Sequence, residues 1–250
     1  MSAPNTVIVQ AVRSVPTLHL SNKRTEASGI QILFDMDGTL IDSTPGLYKA
    51  WEVFSSDYGL GDPIAIAHAT HGKRLYETLK DICGITQEEK LQIETERFEE
   101  EVIRGKPDAL PGAIELLSQL NSLEANWTIV TSASNFFAPR ALQQCGIPLP
   151  KSKIVTANDV SHGKPHPEPY TTGAAHCQVD PTKCLVVEDA ISGLKAGRAA
   201  GATTLGVCTS SSRAILEQSD ANPDFIVPDL TCVSVRRVEQ GLEVTINVPK

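Results

Sequence analysis

Short apolar runs alternate with helical periodicity along most of the chain. The apolar runs predict strands over residues 30–34, 127–130, 153–155, 184–187, 203–207 and 224–227. Amphipathic stretches predict helices between most of them, over residues 112–120, 136–145, 169–176 and 192–200. Strands that alternate with helices form a parallel sheet with helices on both faces. The pattern therefore predicts an α/β fold.

The segment between the first two predicted strands has a different pattern. Residues 45–104 contain only helical stretches, with Pro45 suited to a first helical turn and breaks at Gly59, Gly61, Gly72 and Gly84. We therefore predict a Rossmann-like, doubly wound parallel sheet formed by residues 30–44 and 107–250, and a helical cap of residues 45–106 inserted after the first strand. Such an insertion can act as a lid.

The two ends of the chain are less regular. Residues 1–29 predict either a flexible tail or an added strand over Thr6–Val9, and their early basic residues leave a transit peptide open as an alternative. Residues 233–248 alternate weakly around Gln240 and Gly241, which predicts a closing hairpin.

Composition narrows the function classes. The chain has 22 basic and 30 acidic residues, and its net charge of −8 argues against nucleic acid or an anionic membrane as a partner. No apolar run is long enough to predict a membrane span. The 6 cysteines lack metal-binding spacing, which favours free thiols in a reducing compartment. We expect a cytoplasmic monomer or weak homo-oligomer.

Two aspartates follow the first predicted strand. Asp35 and Asp37 would face the same side of an extended chain, and Gly38 would let the backbone turn after them. Both carboxylates would then lie at the carboxyl end of a strand, where open α/β sheets bind ligands. Their repulsion requires a cation or a shared proton, and oxygen ligands favour Mg²⁺. The alternative is an Asx-rich turn.

Three further polar clusters follow predicted strands. Thr131 and Ser132 could hold phosphoryl oxygens or cap a helix. Lys164, between glycine and proline, could neutralise a carboxylate and a phosphate, or be a solvated loop residue. Glu188 and Asp189 could complete a magnesium site, or form an acidic pair at a helix start.

The four clusters, in this order, resemble the ordered motifs of the haloacid dehalogenase superfamily, in its phosphatase branch with a helical cap. The resemblance covers the chain from about residue 30 to its end. Residues 156–160, 163–170 and 71–74 are also similar to fungal glycerol-phosphate and 2-deoxyglucose-6-phosphate phosphatases. The expected substrate is therefore a small phosphorylated polyol or sugar.

The resemblance implies a role for each cluster. Asp35 would be the nucleophile that forms an aspartyl phosphate, and Asp37 would be the general acid and base. Thr131 and Lys164 would bind the transferring phosphoryl group. Mg²⁺ would be held by the Asp35 carboxylate, the Asp37 backbone carbonyl, Asp189 and, as an open question, Glu188.

Substrate selection is expected from the cap. Gly72 permits a turn that could direct His71 and Arg74 toward the sheet, where Arg74 could clamp phosphate or Asp37 and His71 could meet a hydroxyl. Ser132 would add a substrate contact from the sheet side. The alternative for the cap residues is surface charge at a junction between a helix and a loop.

Three other functions are weighed against a phosphatase. A phosphomutase of the β-phosphoglucomutase type shares the four motifs but must exclude water. A dehalogenase has no need of the acid that Asp37 provides. A non-catalytic binding protein would lack a motif residue, whereas Asp35, Asp37, Thr131, Lys164 and Asp189 are all present.

Overall fold

The computed structural model describes residues 5–9, 30–238 and 241–248. Its centre is a parallel sheet of five strands in the order β5-β2-β6-β7-β8. The predicted α/β fold with a parallel sheet is confirmed. These strands are β2 (Gln31–Phe34), β5 (Trp127–Ile129), β6 (Cys184–Glu188), β7 (Thr203–Val207) and β8 (Phe225–Val227).

Helices pack on both faces of the sheet. Alternate residues of β2 enter different cores: Ile32 and Phe34 belong to one buried cluster and Leu33 to another. A strand buried on both faces needs apolar side chains at successive positions, which is why residues 32–34 of β2 and 184–187 of β6 are continuous apolar runs. The flanking helices are α5 (Ala113–Ser122), α6 (Phe137–Gln144), α7 (Glu168–His176), α8 (Ile191–Ala199) and α9 (Arg213–Gln218).

One predicted strand is reduced to a single bridge. Over residues 153–155, only Val155 pairs with the sheet, through a parallel bridge to Val130. The amide of Val155 donates to the Ile129 carbonyl at 2.9 Å, and the Thr131 amide donates to the Val155 carbonyl at 2.9 Å. A capping box starts a 3₁₀ turn at Thr156, so the chain leaves the sheet after one residue.

The segment after β2 is helical, as the sequence predicts. A short pair, β3 (Ile41–Asp42) with β4 (Asp108–Ala109), brings the entering and leaving chains together as antiparallel neighbours. Aromatic side chains fill the interior, with the rings of Trp51 and Phe98 4.8 Å apart. We refer to residues 44–104 as the cap. Its helices are α1 (Thr44–Tyr58), α2 (Pro63–Thr70), α3 (Leu75–Ile82) and α4 (Glu88–Arg104).

A second, antiparallel sheet forms from the two ends of the chain. β9 (Val233–Val238) pairs with β10 (Gly241–Val248), which agrees with the predicted hairpin, and Gln240 of its turn lies outside the described residues. β1 (Asn5–Val9) adds to the other edge of β10, so a strand forms in the region where Thr6–Val9 was a candidate. Across the described parts of the chain, no helix combines the length and apolar character that crossing a membrane requires.

Candidate active site

The sheet brings three sequence-distant polar clusters to one edge. Asp35 follows β2, Thr131 follows β5, and Glu188 ends β6. Backbone hydrogen bonds between the parallel strands align the strand ends with one another. The Asp35 amide donates to the Val187 carbonyl at 2.9 Å, and the Val130 amide donates to the Phe34 carbonyl at 2.7 Å. Because the chain adds β5 on one side of β2 and then β6 on the other, this edge is the switch point where such sheets bind ligands.

Lys164 joins these strand ends from a fourth segment. Its Nζ atom donates to Asp35 Oδ1 at 2.5 Å, to Glu188 Oε1 at 2.7 Å and to the Val130 carbonyl at 2.9 Å. The side chain is only 2% exposed. Burial lowers its pKa, but the attraction of Asp35 and Glu188 is stronger, so the pKa of Lys164 is raised and the ammonium persists.

Asp35, Glu188 and Asp189 form a buried carboxylate cluster. Their ligand oxygens lie within 4.8 Å of one another. Burial, followed by repulsion from Glu188, raises the pKa of Asp35 well above its usual value despite Lys164. One ammonium cannot neutralise three carboxylates, and an all-oxygen donor set of this size fits a divalent cation such as Mg²⁺. The cluster therefore fits the magnesium that the sequence predicts.

Gly38 makes room for this cluster. Its backbone φ is +84°, and a Cβ atom there would lie 2.1 Å from Asp189 Oδ2 and 2.4 Å from Ser210 Oγ. A side chain at this position would thus meet both an unfavourable backbone conformation and a carboxylate. The Thr39 hydroxyl donates to Asp189 Oδ1 at 3.2 Å and holds the other side of that carboxylate.

Asp37 lies beside the cluster in a different environment. Ser43 Oγ donates to its Oδ1 atom at 2.6 Å. Burial raises the pKa of Asp37 to about 6, with a smaller contribution from Asp189, while the Ser43 hydrogen bond opposes the shift. A carboxyl group with this pKa can both give and take a proton near neutral pH, which is what a general acid and base requires.

Thr131 and Ser132 line the same cavity, whose volume is about 140 Å³. The Thr131 Oγ1 atom accepts a hydrogen bond from the Ala133 amide at 3.0 Å, so its own proton is free for another acceptor. Ser132 Oγ instead donates to the Gly72 carbonyl at 3.1 Å. In this closed arrangement Ser132 connects the sheet edge to the cap.

His71 and Gly72 bring the cap onto the carboxylates. The Nε2 atom of His71 lies 2.8 Å from Asp189 Oδ2, and this hydrogen bond is the main cause that raises the pKa of His71 to about 9. Gly72 has a φ of +74°, and a Cβ atom on it would lie 2.6 Å from Ser192 Oγ and 2.8 Å from Ala190 Cβ. The cap therefore contacts the sheet side closely at Gly72, and only glycine fits at that contact.

Arg74 does not lie where the sequence predicts, beside the phosphate site and Asp37. It does not line the cavity with Asp35 and Asp37, although its neighbour Lys73 does. Its guanidinium donates to the carbonyls of Ala157 at 2.9 Å, Val160 at 2.5 Å and Ser161 at 3.2 Å. Arg74 thus attaches the cap to the loop that precedes Lys164, since backbone carbonyls in that loop provide a closer set of acceptors than the cavity does.

Glu99 is a cavity residue that the sequence reasoning missed. It lies on α4, is 4% exposed, and lines the same cavity as Asp35. Its Oε2 atom accepts from Ser134 Oγ at 2.6 Å and its Oε1 atom from the Ser134 amide at 3.2 Å. Burial, partly opposed by these bonds, raises the pKa of Glu99 to about 7.

A signal for Glu99 was present in the sequence. The run Phe98-Glu99-Glu100-Glu101 looks like a solvated acidic face. The buried stripe of α4 contains Leu91, Thr95, Phe98 and Val102, and position 99 follows Thr95 by four residues. Residues four apart share a helix face, so helical spacing places Glu99 on the apolar side.

Comparisons with known proteins agree with this geometry. Residues 32–207 match the family described as haloacid dehalogenase-like hydrolase. The chain belongs to this family. It is 37% identical over 211 residues to hexitol phosphatase A of Escherichia coli, across 84% of this chain and 95% of that protein.

Two yeast proteins are similar over most of the chain. 2-Deoxyglucose-6-phosphate phosphatase 1 of Saccharomyces cerevisiae is 33% identical and covers 90% of this chain and 98% of its own. Glycerol-1-phosphate phosphohydrolase 2 of the same organism is 33% identical, covering 81% of this chain and 83% of its own. The resemblance stated from the motifs is confirmed, and so is the predicted enzyme class, a phosphoric monoester hydrolase.

Solved structures show the same architecture. A hydrolase from Pseudomonas syringae superposes with a TM-score of 0.71 at 29% identity, over 80% of this chain and 94% of that one. A Bacteroides vulgatus protein, provisionally described as a β-phosphoglucomutase, has a TM-score of 0.69 at 28% identity, over 80% and 84%. The family's fold is therefore shared by proteins described with more than one activity.

Proposed function

We propose that this protein is a magnesium-dependent phosphatase that hydrolyses small polyol or sugar phosphates through an aspartyl-phosphate intermediate. The observation that carries the proposal is the buried contact of Lys164 with Asp35 and Glu188, two carboxylates that line the cavity. Relatives named for hexitol, glycerol 1-phosphate and 2-deoxyglucose 6-phosphate support this substrate class.

The first chemical step is phosphoryl transfer to Asp35. Its carboxylate attacks phosphorus, and the bond between phosphorus and the ester oxygen breaks. Asp37 donates its proton to the departing oxygen, so the product leaves as a neutral alcohol. A pKa of about 6 keeps a useful fraction of Asp37 protonated near neutral pH.

The second step returns the enzyme to its starting state. Asp37, now ionised, accepts a proton from a water molecule. The oxygen of that water attacks the phosphorus of the aspartyl phosphate, and the bond from phosphorus to Asp35 breaks. Inorganic phosphate leaves, Asp35 is again a carboxylate, and Asp37 again carries a proton.

Lys164 and Thr131 stabilise the transferring group. Thr131 lines the cavity with a hydroxyl proton free for another acceptor, and the Lys164 ammonium lies directly behind the cavity residues Asp35 and Glu188, so both groups can contact phosphoryl oxygens. The carboxylates of Asp35, Glu188 and Asp189, with the Asp37 backbone carbonyl, would hold the magnesium ion. When bound, Mg²⁺ supplies positive charge that screens the nucleophile from the phosphate.

The pKa of Asp35 supports a cation requirement. Burial and the neighbouring Glu188 raise the pKa of Asp35, which disfavours the ionised form that the nucleophile needs. A divalent positive charge beside three carboxylates shifts this balance back toward ionisation. Removal of the cation should therefore protonate the nucleophile as well as weaken phosphate binding.

The cavity supports a small, hydroxylated leaving group. Its volume is about 140 Å³, and the cap closes it above Asp35. Much of the wall is apolar, but Glu99 offers carboxylate lone pairs that Ser134 does not use. Hydroxyl groups of a polyol can donate to these positions. The apolar part of the wall consists of Leu47, Trp51, Ala67, Leu75, Phe98, Val102 and Phe137.

A panel of phosphate esters tests the proposal. We expect phosphate release from hexitol, glycerol and 2-deoxyglucose phosphates in the presence of Mg²⁺. EDTA should stop it reversibly, and Asp35→Asn should lose at least about 10⁴-fold in kcat while it remains folded. Activity that persists in Asp35→Asn would contradict the assignment of the nucleophile, and indifference to EDTA would contradict the cation requirement.

A phosphomutase is the second candidate. The specific observation in its favour is the similarity to the Bacteroides vulgatus structure, together with a cap that closes directly onto Asp189. Conversion of glucose 1-phosphate to glucose 6-phosphate without phosphate release would favour the mutase. Release of phosphate with no isomerised product would favour the phosphatase.

The cellular context is a further part of the proposal. All 6 cysteines are free thiols, which supports a reducing compartment such as the cytoplasm. We propose a monomer or weak homo-oligomer, because one chain supplies all of the proposed site residues and the site needs none from a second copy. Gel filtration of the purified protein would test the oligomeric state.

A further inference from the structure

A second group of metal-ligating side chains lies on the loop that carries Lys164. His162, His166 and Glu168 each place one ligand atom within 4.8 Å of the other two. The Nδ1 atoms of His162 and His166 lie 2.8 Å and 3.9 Å from Glu168 Oε2. The histidines are 67% and 50% exposed, so ions in solution can reach them.

The backbone around this cluster is already ordered. Glu168 Oε1 accepts from the Ser161 amide at 2.7 Å, and its Oε2 accepts from the His162 amide at 2.9 Å. Arg74 holds the carbonyls of Val160 and Ser161 from the cap side. A site with fixed ligands loses little conformational entropy when an ion binds, so this loop is suited to hold one.

The donor set favours a different ion from that of the active site. Two imidazole nitrogens and one carboxylate suit Zn²⁺ and neighbouring transition metals, whereas the hard Mg²⁺ ion prefers oxygen ligands. Tetrahedral Zn²⁺ with ligands at about 2.0–2.1 Å places those ligands about 3.3 Å apart. The two distances to Glu168, 2.8 Å and 3.9 Å, lie on either side of this separation, and the two histidine ligand atoms lie within 4.8 Å of each other, so side-chain rotations can bring the three ligands to one ion.

Binding would replace two existing hydrogen bonds. One joins His162 Nδ1 to Glu168 Oε2, and the other runs from the Glu168 amide to His166 Nδ1 at 3.2 Å. The contacts of Glu168 with the Ser161 and His162 amides can remain, because each carboxylate oxygen has a second lone pair. The two imidazole rings are tilted by 32° with centroids 4.5 Å apart, and they need not separate.

We propose that His162, His166 and Glu168 form a second cation site, selective for Zn²⁺-type ions over Mg²⁺. The site is separate from the buried carboxylates of the active centre. Its two histidines lie on either side of Lys164 in the sequence, so an ion bound there restrains the loop that positions the Lys164 ammonium. It would also stabilise the folded protein by mass action.

Titration calorimetry with Zn²⁺ tests this site. The protein is the full chain without a histidine tag, and Mg²⁺ is kept at saturating concentration to occupy the carboxylate cluster. His162→Ala removes a ligand at an exposed position, so the fold should persist. His176→Ala is the matched control, because His176 is a partly exposed histidine outside the cluster, with its Nδ1 atom 2.9 Å from the Lys153 carbonyl.

The expected result is one Zn²⁺ per chain in the native protein and in His176→Ala. Loss of even an outer partner of a metal site costs about 10–100-fold in affinity, so His162→Ala should bind at least about tenfold more weakly. Zn²⁺ should also raise the melting temperature of the native protein and not that of His162→Ala.

Two results would overturn the proposal. One is Zn²⁺ binding of equal strength in His162→Ala and the native protein. The other is loss of the Zn²⁺ signal in Asp189→Asn, which would place the ion among the active-site carboxylates. Both outcomes are independent of which phosphate ester the enzyme hydrolyses.

Discussion

The two sides of the cavity are built in different ways. On the sheet side, Asp35, Thr131 and Glu188 come from strands whose backbone hydrogen bonds set their relative positions. On the cap side, His71 and Glu99 come from separate helical segments that reach the cavity through packing. The sheet edge therefore follows from the order of motifs in the sequence, whereas the cap surface depends on how its helices dock.

After the loss expected for Asp35→Asn, the next largest effect is predicted for Lys164 on the sheet side. Lys164→Met should lower kcat by about 10²–10³-fold, because it removes the buried ammonium that we propose contacts the transferring group. Lys151→Met is the control, since Lys151 is 73% exposed in a surface ion pair. Steady-state kinetics with saturating Mg²⁺ measures both variants. Comparable activity in the two would contradict the role of Lys164.

Gly72→Ala is predicted to disturb the contact between the two sides. The new Cβ atom would collide with Ser192 and Ala190, so the cap should close imperfectly and kcat should fall by about 10²-fold. Gly84→Ala has a similar backbone strain, with a φ of +63°, but nothing lies within 4 Å of its Cβ position. Thermal melting should show similar destabilisation in both variants. Equal turnover in the two would mean that cap closure at Gly72 is unimportant.

The proton carried by Asp37 predicts a pH dependence. Its pKa is raised to about 6, so its protonated fraction falls as pH rises and decreases by about tenfold per pH unit above 7. In single-turnover experiments, alcohol release from glycerol phosphate should slow accordingly between pH 7 and pH 8. p-Nitrophenyl phosphate needs little protonation of its leaving group, so its release should change less. Identical profiles for both esters would argue against Asp37 as the acid.

The smallest predicted effect concerns the cap side alone. At a pH above 7, where Glu99 with its pKa of about 7 is mostly ionised, Glu99→Gln should raise KM for polyol phosphates by about tenfold, because a hydrogen bond to a charged group contributes about 1.5–3 kcal/mol. KM for p-nitrophenyl phosphate, which has no hydroxyl donors, should stay unchanged. Glu89→Gln, at an exposed position in the first turn of the same helix, is the control. A uniform rise in KM for both esters would indicate a structural role for Glu99 instead.

The sequence predicts the sheet side well because strand ends are local features. A buried apolar run followed by Asp35 or by Asp189 identifies a carboxylate at the sheet edge without knowledge of the rest of the chain. The bridge at Val155 shows the limit of this approach, since an apolar run alone does not tell whether one or three residues will pair.

The cap residues require tertiary information. Gly72 predicted a turn toward the sheet. His71 lies beside Asp189, whereas Arg74 binds the carbonyls of Ala157 and Val160. No sequence pattern near Arg74 specifies those acceptors, because they lie more than 80 residues after Arg74 in the chain. Glu99 was missed in the sequence because its acidic neighbours resemble a solvent-exposed helix face. The helical period nevertheless places Glu99 on the buried face of the helix.

Acid-quench mass spectrometry is the most direct test of the central claim, that Asp35 receives the phosphoryl group. The protein is mixed with Mg²⁺ and excess 2-deoxyglucose 6-phosphate, quenched within one turnover and digested. We predict a phosphorylated peptide whose modified residue is Asp35, and no such peptide from Asp35→Asn. Phosphate release by the native protein with the modification on another residue, or with no trapped phosphopeptide at any time, would contradict the account.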